Sequence, residues 1–255
     1  MTEHKLKWAG RNSDKDQVRA RIWKSLVDAK AGIGDVYDRI PQFVGAELAA
    51  QRLAATAEWK SAKIVKCNPD TAHIAVRLQA LREGKLLYVP VPELKSEKPY
   101  LCLDPAKLLK AGIPFEAVSD KDGAVAHGQP IDFEEMKPLD LVHVGCVAAS
   151  RAGGRAGKGG GFGDLELGIF REMKIVGANT PIVTCVHDLQ LVADHEVPLE
   201  PHDSKMTAIF TPSQSIKTSG DLRQPGGVDW DKVLPEQYRD IPILNRLRAK
   251  FQPKS

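Results

Sequence analysis

One stretch of this chain gathers residues that could do chemistry: Ser150-Arg-Ala-Gly-Gly-Arg155-Ala-Gly157-Lys158-Gly159-Gly160-Gly161-Phe162-Gly163-Asp164. Glycines let a backbone turn its N–H groups inward without Cβ interference, and a helix starting just after them adds positive potential. Arg155 can fork onto a phosphate, while Lys158 adds a point charge. Asp164 suits either the cap of the following helix or a Mg²⁺ ion beside the phosphates. These residue types predict a loop, 155–164, that holds the phosphates of a nucleotide. Two common phosphate patterns do not describe it. A P-loop needs Gly where Ala152 stands and Ser or Thr where Gly159 stands, and the dinucleotide pattern G-x-G-x-x-G meets Phe162 or Asp164 at its last place. A linker is the plain alternative, but linkers are not usually squeezed between an apolar strand and a helix.

Other candidates are weaker, and each has a structural alternative beside it. Asn68 and Asp70 follow an apolar run on the expected ligand side, in an Asn-Pro-Asp triplet that also reads as a turn. His187-Asp188 follows another apolar run and reads as a ligand or acid–base pair, or as a hydrogen-bonded turn. Arg39 could bind an anionic tail or sit in a surface salt bridge. His143 lies inside an apolar run and reads as a satisfied core histidine. His187, His195 and His202 are too loosely spaced to predict zinc. Four cysteines form no C-x-x-C pair, and Cys146 and Cys185 lie in apolar runs, so buried thiols in a reduced, cytoplasmic setting are expected.

Elements must position these groups. The spacing of Val18, Ile22 and Leu26 predicts a helix over 14–28 with Asp14 as its N-cap. An Ala-rich helix is expected over 45–59, a strand over 63–67, a helix over 71–83 and a strand over 85–92 whose prolines place its end at a loop or sheet edge. Residues 95–138 are rich in charge and turns, with a short helix near 105–111 and a hairpin or cover over the sheet. Residues 139–149 read as one continuous apolar strand, buried on both faces, running straight into the glycine loop. A helix over 164–173, a strand over 181–186 and a final strand over 207–210 follow. Alternating strands and helices predict a three-layer α/β/α fold with a mainly parallel sheet, and ligands in such folds bind at the carboxyl ends of the strands. The expected organisation is an extension, 1–13, an α/β domain, 14–216, and a peripheral tail, 217–255.

Composition narrows the class. At 255 residues with 42% hydrophobic and 27% charged, the chain can bury one large core. Aromatic residues are only 6% and the formal net charge only +3, so a nucleic-acid surface is not expected, whereas a polyanionic small molecule is. No stretch reaches the ~20 apolar residues of a membrane helix, and the start lacks a leader's apolar core.

The run Arg155–Asp164 resembles the hallmark R-L-G-R-G-x-G-Y-Y-D of the 5-formyltetrahydrofolate cyclo-ligases (5,10-methenyltetrahydrofolate synthetases). Lys15-Asp-Gln-Val-Arg19 resembles that family's K-x-x-x-R helix, and residues 85–92 and His202-Asp203…Thr211-Pro212 stand where the family would place similar features, so the resemblance spans most of 14–216. It implies a NagB/RpiA/CoA-transferase-like architecture and a reaction using ATP and Mg²⁺: the N5-formyl oxygen of the folate is phosphorylated, N10 attacks the activated carbon, and phosphate leaves as 5,10-methenyltetrahydrofolate forms. It implies Lys15, Arg155 and Lys158 as catalytic residues. Lys15, Arg19, Arg155, Gly157, Lys158, Gly159, Gly160, Gly161, Phe162 and Asp164 would hold ATP, with Asp164 on Mg²⁺. Asn68, Asp70, Phe162 and His187 would face a folate-like substrate, in a monomer or homodimer. Gly160 replaces a basic residue of the family, Phe162 and Gly163 replace its two tyrosines, and 67–70 lacks its pterin-binding Glu. These departures resemble the divergent branch of methenyltetrahydrofolate synthase domain-containing proteins. They leave a second reading: a nucleotide-binding protein of this fold that has lost or changed the folate chemistry.

Overall fold

A computed structural model describes residues 10–219 and 223–252. Helix α1 (Ser13–Asp28) is capped by Asn12, whose side chain accepts from the Lys15 N–H at 2.9 Å. The cap expected at Asp14 therefore falls two residues earlier, and Asp14 lies in the first turn, where its charge meets the helix dipole. The Ala-rich stretch forms two helices, α2 (Ala46–Ala54) and α3 (Ala57–Ser61), because Thr56 takes an extended conformation and caps the second.

Strand β1 (Ile64–Cys67), helix α4 (Ile74–Arg82) and strand β2 (Leu86–Pro90) follow the predicted order. Next come β3 (Tyr100–Leu103), α5 (Pro105–Lys110), α6 (Lys121–His127) and β4 (Gln129–Ile131). β3 and β4 extend the sheet antiparallel beyond β2, so the region expected as a hairpin or a cover over the sheet adds two strands to its edge. The predicted continuous strand over 139–149 is broken. Leu141–His143 (β5) joins the main sheet, whereas Ala148–Ser150 (β6) pairs with Arg155–Ala156 (β7) in a small second sheet. Periodicity does not reveal the break, because both halves are apolar and both are buried. Helix α7 (Phe162–Glu172) then leads to β8 (Ile182–Cys185), β9 (Leu191–Val192), β10 (Ala208–Phe210) and β11 (Ser215–Lys217). β11 pairs antiparallel with β10, so the strand expected to be last is followed by another.

The main sheet has eight strands in the order β11-β10-β8-β5-β1-β2-β3-β4, parallel from β10 through β2. Its side chains alternate between two cores. Val65, Cys67, Leu87, Val183 and Phe210 face α1, α2 and α4, while Tyr88, Tyr100, Val142, Ile182 and Ile209 face α7 and the C-terminal helices α8 (Pro235–Asp240) and α9 (Leu244–Phe251). Three layers result, as predicted. The C-terminal segment contributes to the second core through Trp230, Ile241, Leu244 and Leu247. That burial goes beyond the surface wrapping expected of the tail.

Candidate functional site

The chain runs from β1 outward through β2, β3 and β4, then returns to β5 on the opposite side of β1. Such a reversal opens a crevice at the carboxyl ends of the two neighbouring strands. Asn68 and Asp70 form its rim after β1. From beneath, the buried Arg77 of α4 donates Nη1 to the carbonyls of Asn68 and, at 3.0 Å, Asp70, while its Nε donates to the Ser119 carbonyl at 2.6 Å. Nε and Nη1 of one buried guanidinium thus bind three carbonyls and hold the rim in place, while Nη2 has no hydrogen-bond partner among the described residues.

The glycine loop approaches this rim. Lys158 Nζ stands 3.6 Å from Asp70 Oδ1, so two segments 88 positions apart, 158 against 70, meet as the sequence reading needed. The loop begins later than expected, because Arg155 and Ala156 belong to β7. Arg155 is turned inward: Nη2 lies 2.6 Å from Asp164 Oδ1 and Nη1 donates to the Ser204 carbonyl. Burial works to lower its pKa, but Asp164 more than reverses this, and the net shift is upward. The same Asp164 oxygen accepts from the Ser204 N–H at 2.8 Å. Arg155 expected on phosphate, and Asp164 expected as a cap or Mg²⁺ ligand, thus form an anchor for the loop. The helix cap is Gly161 instead, at φ +72°, a conformation that favours glycine.

Between these anchors two of the loop's carbonyls, those of Gly157 and Gly160, are tied back, while its amides have no partner among the described residues. Arg19 Nη1 donates to Gly157 O at 3.2 Å, and Arg11 Nη1 and Gln237 Nε2 donate to Gly160 O at 3.0 and 3.3 Å. The N–H groups of Gly157, Lys158, Gly159, Gly160 and Gly161 make no hydrogen bond with another described residue. A Cβ at Gly157 would meet no atom within 4 Å, so that face is open. Lys15, one turn before Arg19 on α1, lies 3.1 Å from Asp203 Oδ2. Phe162, expected on the substrate side, packs against the second core.

His187 takes a local role. Its Nδ1 accepts from the Leu189 N–H at 3.1 Å, its ring lies 6.1 Å edge-on from Phe43, and burial lowers its pKa against the opposing pull of Asp188. Asp188 accepts from Thr211 and Ser213 hydroxyls, both at 2.5 Å, so it organises the turn after β10 while His187 bonds within the turn after β8. The turn reading of His187-Asp188 describes these bonds better than the acid–base reading.

Two buried clusters escaped the sequence reading. Lys66, between Val65 and Cys67 on β1, points to the α7 side, where its Nζ lies 2.5 Å from Glu166 Oε2 and 2.5 Å from Asn68 Oδ1. Tyr100 donates its hydroxyl to Glu166 Oε1, and burial, then Glu166, raises the tyrosine pKa well above its ordinary value. The only sequence sign was a lysine inside an apolar strand. The second cluster is Cys67, His73 and His143, whose ligand-type atoms lie within 4.8 Å of one another. It does not offer three lone pairs to a cation. His143 Nε2 accepts from the Cys185 N–H at 3.1 Å, so the neutral ring carries its proton on Nδ1, 3.5 Å from Cys67 Sγ. His143 is the satisfied core histidine expected, while neither ring nitrogen of buried His73 has a hydrogen-bond partner among the described residues.

A doubly wound sheet with an open amide loop beside its switch point defines the class: an α/β protein with a crevice at its strand ends. The chain belongs to the 5-formyltetrahydrofolate cyclo-ligase family, whose pattern matches residues 11–212. It is 35% identical over 243 residues to a human methenyltetrahydrofolate synthase domain-containing protein, covering 93% of this chain and 62% of that one. The bovine protein of the same description is 34% identical over 238 residues, with 92% of this chain and 62% of that one covered. The chain thus spans about three-fifths of the length of these curated relatives. A 5-formyltetrahydrofolate cyclo-ligase of Mycolicibacterium smegmatis is 34% identical over 83 residues, 32% of this chain and 39% of that one. Among solved structures, the 5,10-methenyltetrahydrofolate synthetase of Aquifex aeolicus shares the fold, with a TM-score of 0.51, 17% identity, and 81% and 94% of the two chains covered. The resemblance read from Arg155–Asp164, and the branch it pointed to, are borne out. Among the described residues no helix is long and apolar enough to cross a membrane.

Proposed function

We propose that this chain is an ATP- and Mg²⁺-dependent cyclo-ligase acting on 5-formyltetrahydrofolate or a related N-formyl heterocycle, with 5,10-methenyltetrahydrofolate, ADP and phosphate as products. One observation carries this reading: five successive amides, at Gly157–Gly161, have no hydrogen-bond partner among the described residues and lie beside a lysine that faces the crevice rim. Such amides ahead of the α7 N-terminus form a cradle for phosphate oxygens. Lys158 and Lys15, each opposite a single carboxylate, are the cations able to turn onto a nucleotide. Arg19 supports the loop by its carbonyl, and Arg155 fixes the loop's base and Asp164. Asp164 Oδ2 is left for a magnesium ion arriving with the phosphates, a role that suits one carboxylate. The nucleotide supplies the phosphoryl group that activates the formyl oxygen. The protein's own contribution is to orient that oxygen and concentrate positive charge around it, as phosphoryl transfer requires. Asn68 and Asp70 on the rim are the substrate-side residues, and a soluble cytoplasmic setting fits the reduced thiols.

The second reading, a nucleotide-binding protein that has lost or changed the folate chemistry, draws on Phe162, which is partly buried against the second core, and on Gly163, which offers no aromatic face. Calorimetric titration with a non-hydrolysable ATP analogue and Mg²⁺, followed by absorbance after adding ATP and 5-formyltetrahydrofolate, separates the two. Nucleotide binding with growth of the methenyl chromophore is expected. Binding without the chromophore would select the second reading, and no nucleotide binding would remove both.

A further inference from the structure

A protonated lysine amine has three donors and no lone pair, so whatever it touches must accept. Lys66 Nζ, fully buried and facing the Glu166 carboxylate, touches the side chain of Asn68 at 2.5 Å. The two ends of a carboxamide have nearly the same shape, yet only its oxygen can accept there. The Asn68 amide is therefore oriented by chemistry as well as by fit, with oxygen inward to Lys66 and –NH₂ outward. Nδ2 makes no hydrogen bond with another described residue, and it is not among the buried unpartnered atoms, so it opens onto the crevice. The backbone beneath it is clamped by Arg77. The carboxylate that holds Lys66 is held in turn by Tyr100.

We propose that Asn68 is a specificity residue that presents N–H donors alone to the substrate, and so selects a ligand carrying an acceptor oxygen at the rim. Lys66, Glu166 and Tyr100 are the positioning residues that prevent the amide from turning. The inference rests on the cyclo-ligase reading. Within that reading the oxygen is that of the N-formyl group, because Asn68 stands two residues from Asp70, which Lys158 of the phosphate loop approaches at 3.6 Å. The oxygen that receives a phosphoryl group must lie on that side.

The test compares 5-formyltetrahydrofolate with 5-methyltetrahydrofolate, which keeps the ring and tail but lacks the oxygen. Binding is measured by calorimetry on the intact chain, with a non-hydrolysable ATP analogue titrated separately. The wild-type chain is expected to prefer the formyl compound by about tenfold, the weight of one hydrogen bond to a desolvated partner. Asn68→Asp keeps the size and still accepts from Lys66, but turns an acceptor outward. It should abolish the preference while the nucleotide analogue binds as before. Asn68→Ala should do the same, and both changes lie on a half-buried rim that leaves the Lys66–Glu166 pair intact. Lys66→Met, in which the amide is free to turn, should lose the preference even where total affinity for the methyl compound is unchanged. A formyl preference retained in Asn68→Asp would overturn the proposal and leave the cyclo-ligase reading standing. A wild-type chain that binds nucleotide but neither folate would overturn both.

Discussion

Arg155 and Lys158 stand three residues apart in one loop, and residue chemistry alone assigns both to phosphate. Their surroundings separate them. Arg155 is 9% exposed and bonded to Asp164 and Ser204, whereas the Lys158 side chain is 38% exposed with Asp70 at 3.6 Å as its ion-pair partner. Truncating one member of a buried pair leaves the other charge uncompensated. Arg155→Ala should therefore lower unfolding free energy by about 3–5 kcal/mol, read from urea melts. Lys158→Ala should leave stability within about 0.5 kcal/mol, as surface changes usually do. It should instead weaken binding of the ATP analogue about tenfold at low salt, less as salt screens the exposed charge. The opposite pattern, with Lys158 governing stability and Arg155 affinity, would reverse their roles.

At the scale of elements, α1 and the start of α7 decide where the loop lies. α1 is capped by Asn12 and carries Lys15 and Arg19 on its first two turns, so fraying its start would loosen the Arg19 bond to Gly157 O. Asn12→Ala should cost about 1 kcal/mol of stability, measured by thermal or urea unfolding, with Asn12→Ser largely neutral. Gly161 closes the loop in a left-handed conformation, and an added Cβ would come 3.4 Å from Gln237 Nε2, a side-chain end that can give way. Backbone strain is then the main penalty, so Gly161→Ala should destabilise by about 1–2 kcal/mol. The amides that precede it would also be re-aimed, and nucleotide affinity should fall with it, a coupling that calorimetry on the folded variant would detect.

Across the whole molecule, two buried histidines, His73 and His143, resist charging. Burial lowers the pKa of His73 and of His143 well below 6.5, and nearby cationic and histidine side chains add to the effect. The unfolded chain binds protons near pH 6.5 that the folded chain refuses. Both contributions are thus fully present above about pH 6.5 and are lost as pH falls from there toward the depressed folded values. Each histidine should give a slope of up to about 1.4 kcal/mol per pH unit. Urea midpoints at pH 7.5 and 5.5 should therefore fall together with acidification, and His73→Leu should remove roughly half of that slope. A flat profile across this window would mean that these histidines are open to water.

The sequence by itself determined the alternation of short apolar strands with helices, hence a mostly parallel sheet covered on two faces. It also determined the family, because the Arg155–Asp164 pattern is local and its spacing survives substitution. Such features depend on neighbours in the chain. What only the tertiary structure decided depends on neighbours in space. The apolar run 139–149 divides between two sheets because burial alone does not choose a pairing partner. Arg155 is an anchor because Ser204 and Asp164 arrive beside it, and His187 is a turn residue because its bonds are local. Lys66 gives orientation to Asn68 because strand alternation directs it to the face that α7 covers with Glu166, a residue 100 positions away. A lysine in an apolar strand reads as an anomaly until the carboxylate that neutralises it is found, and only the fold brings that carboxylate within reach.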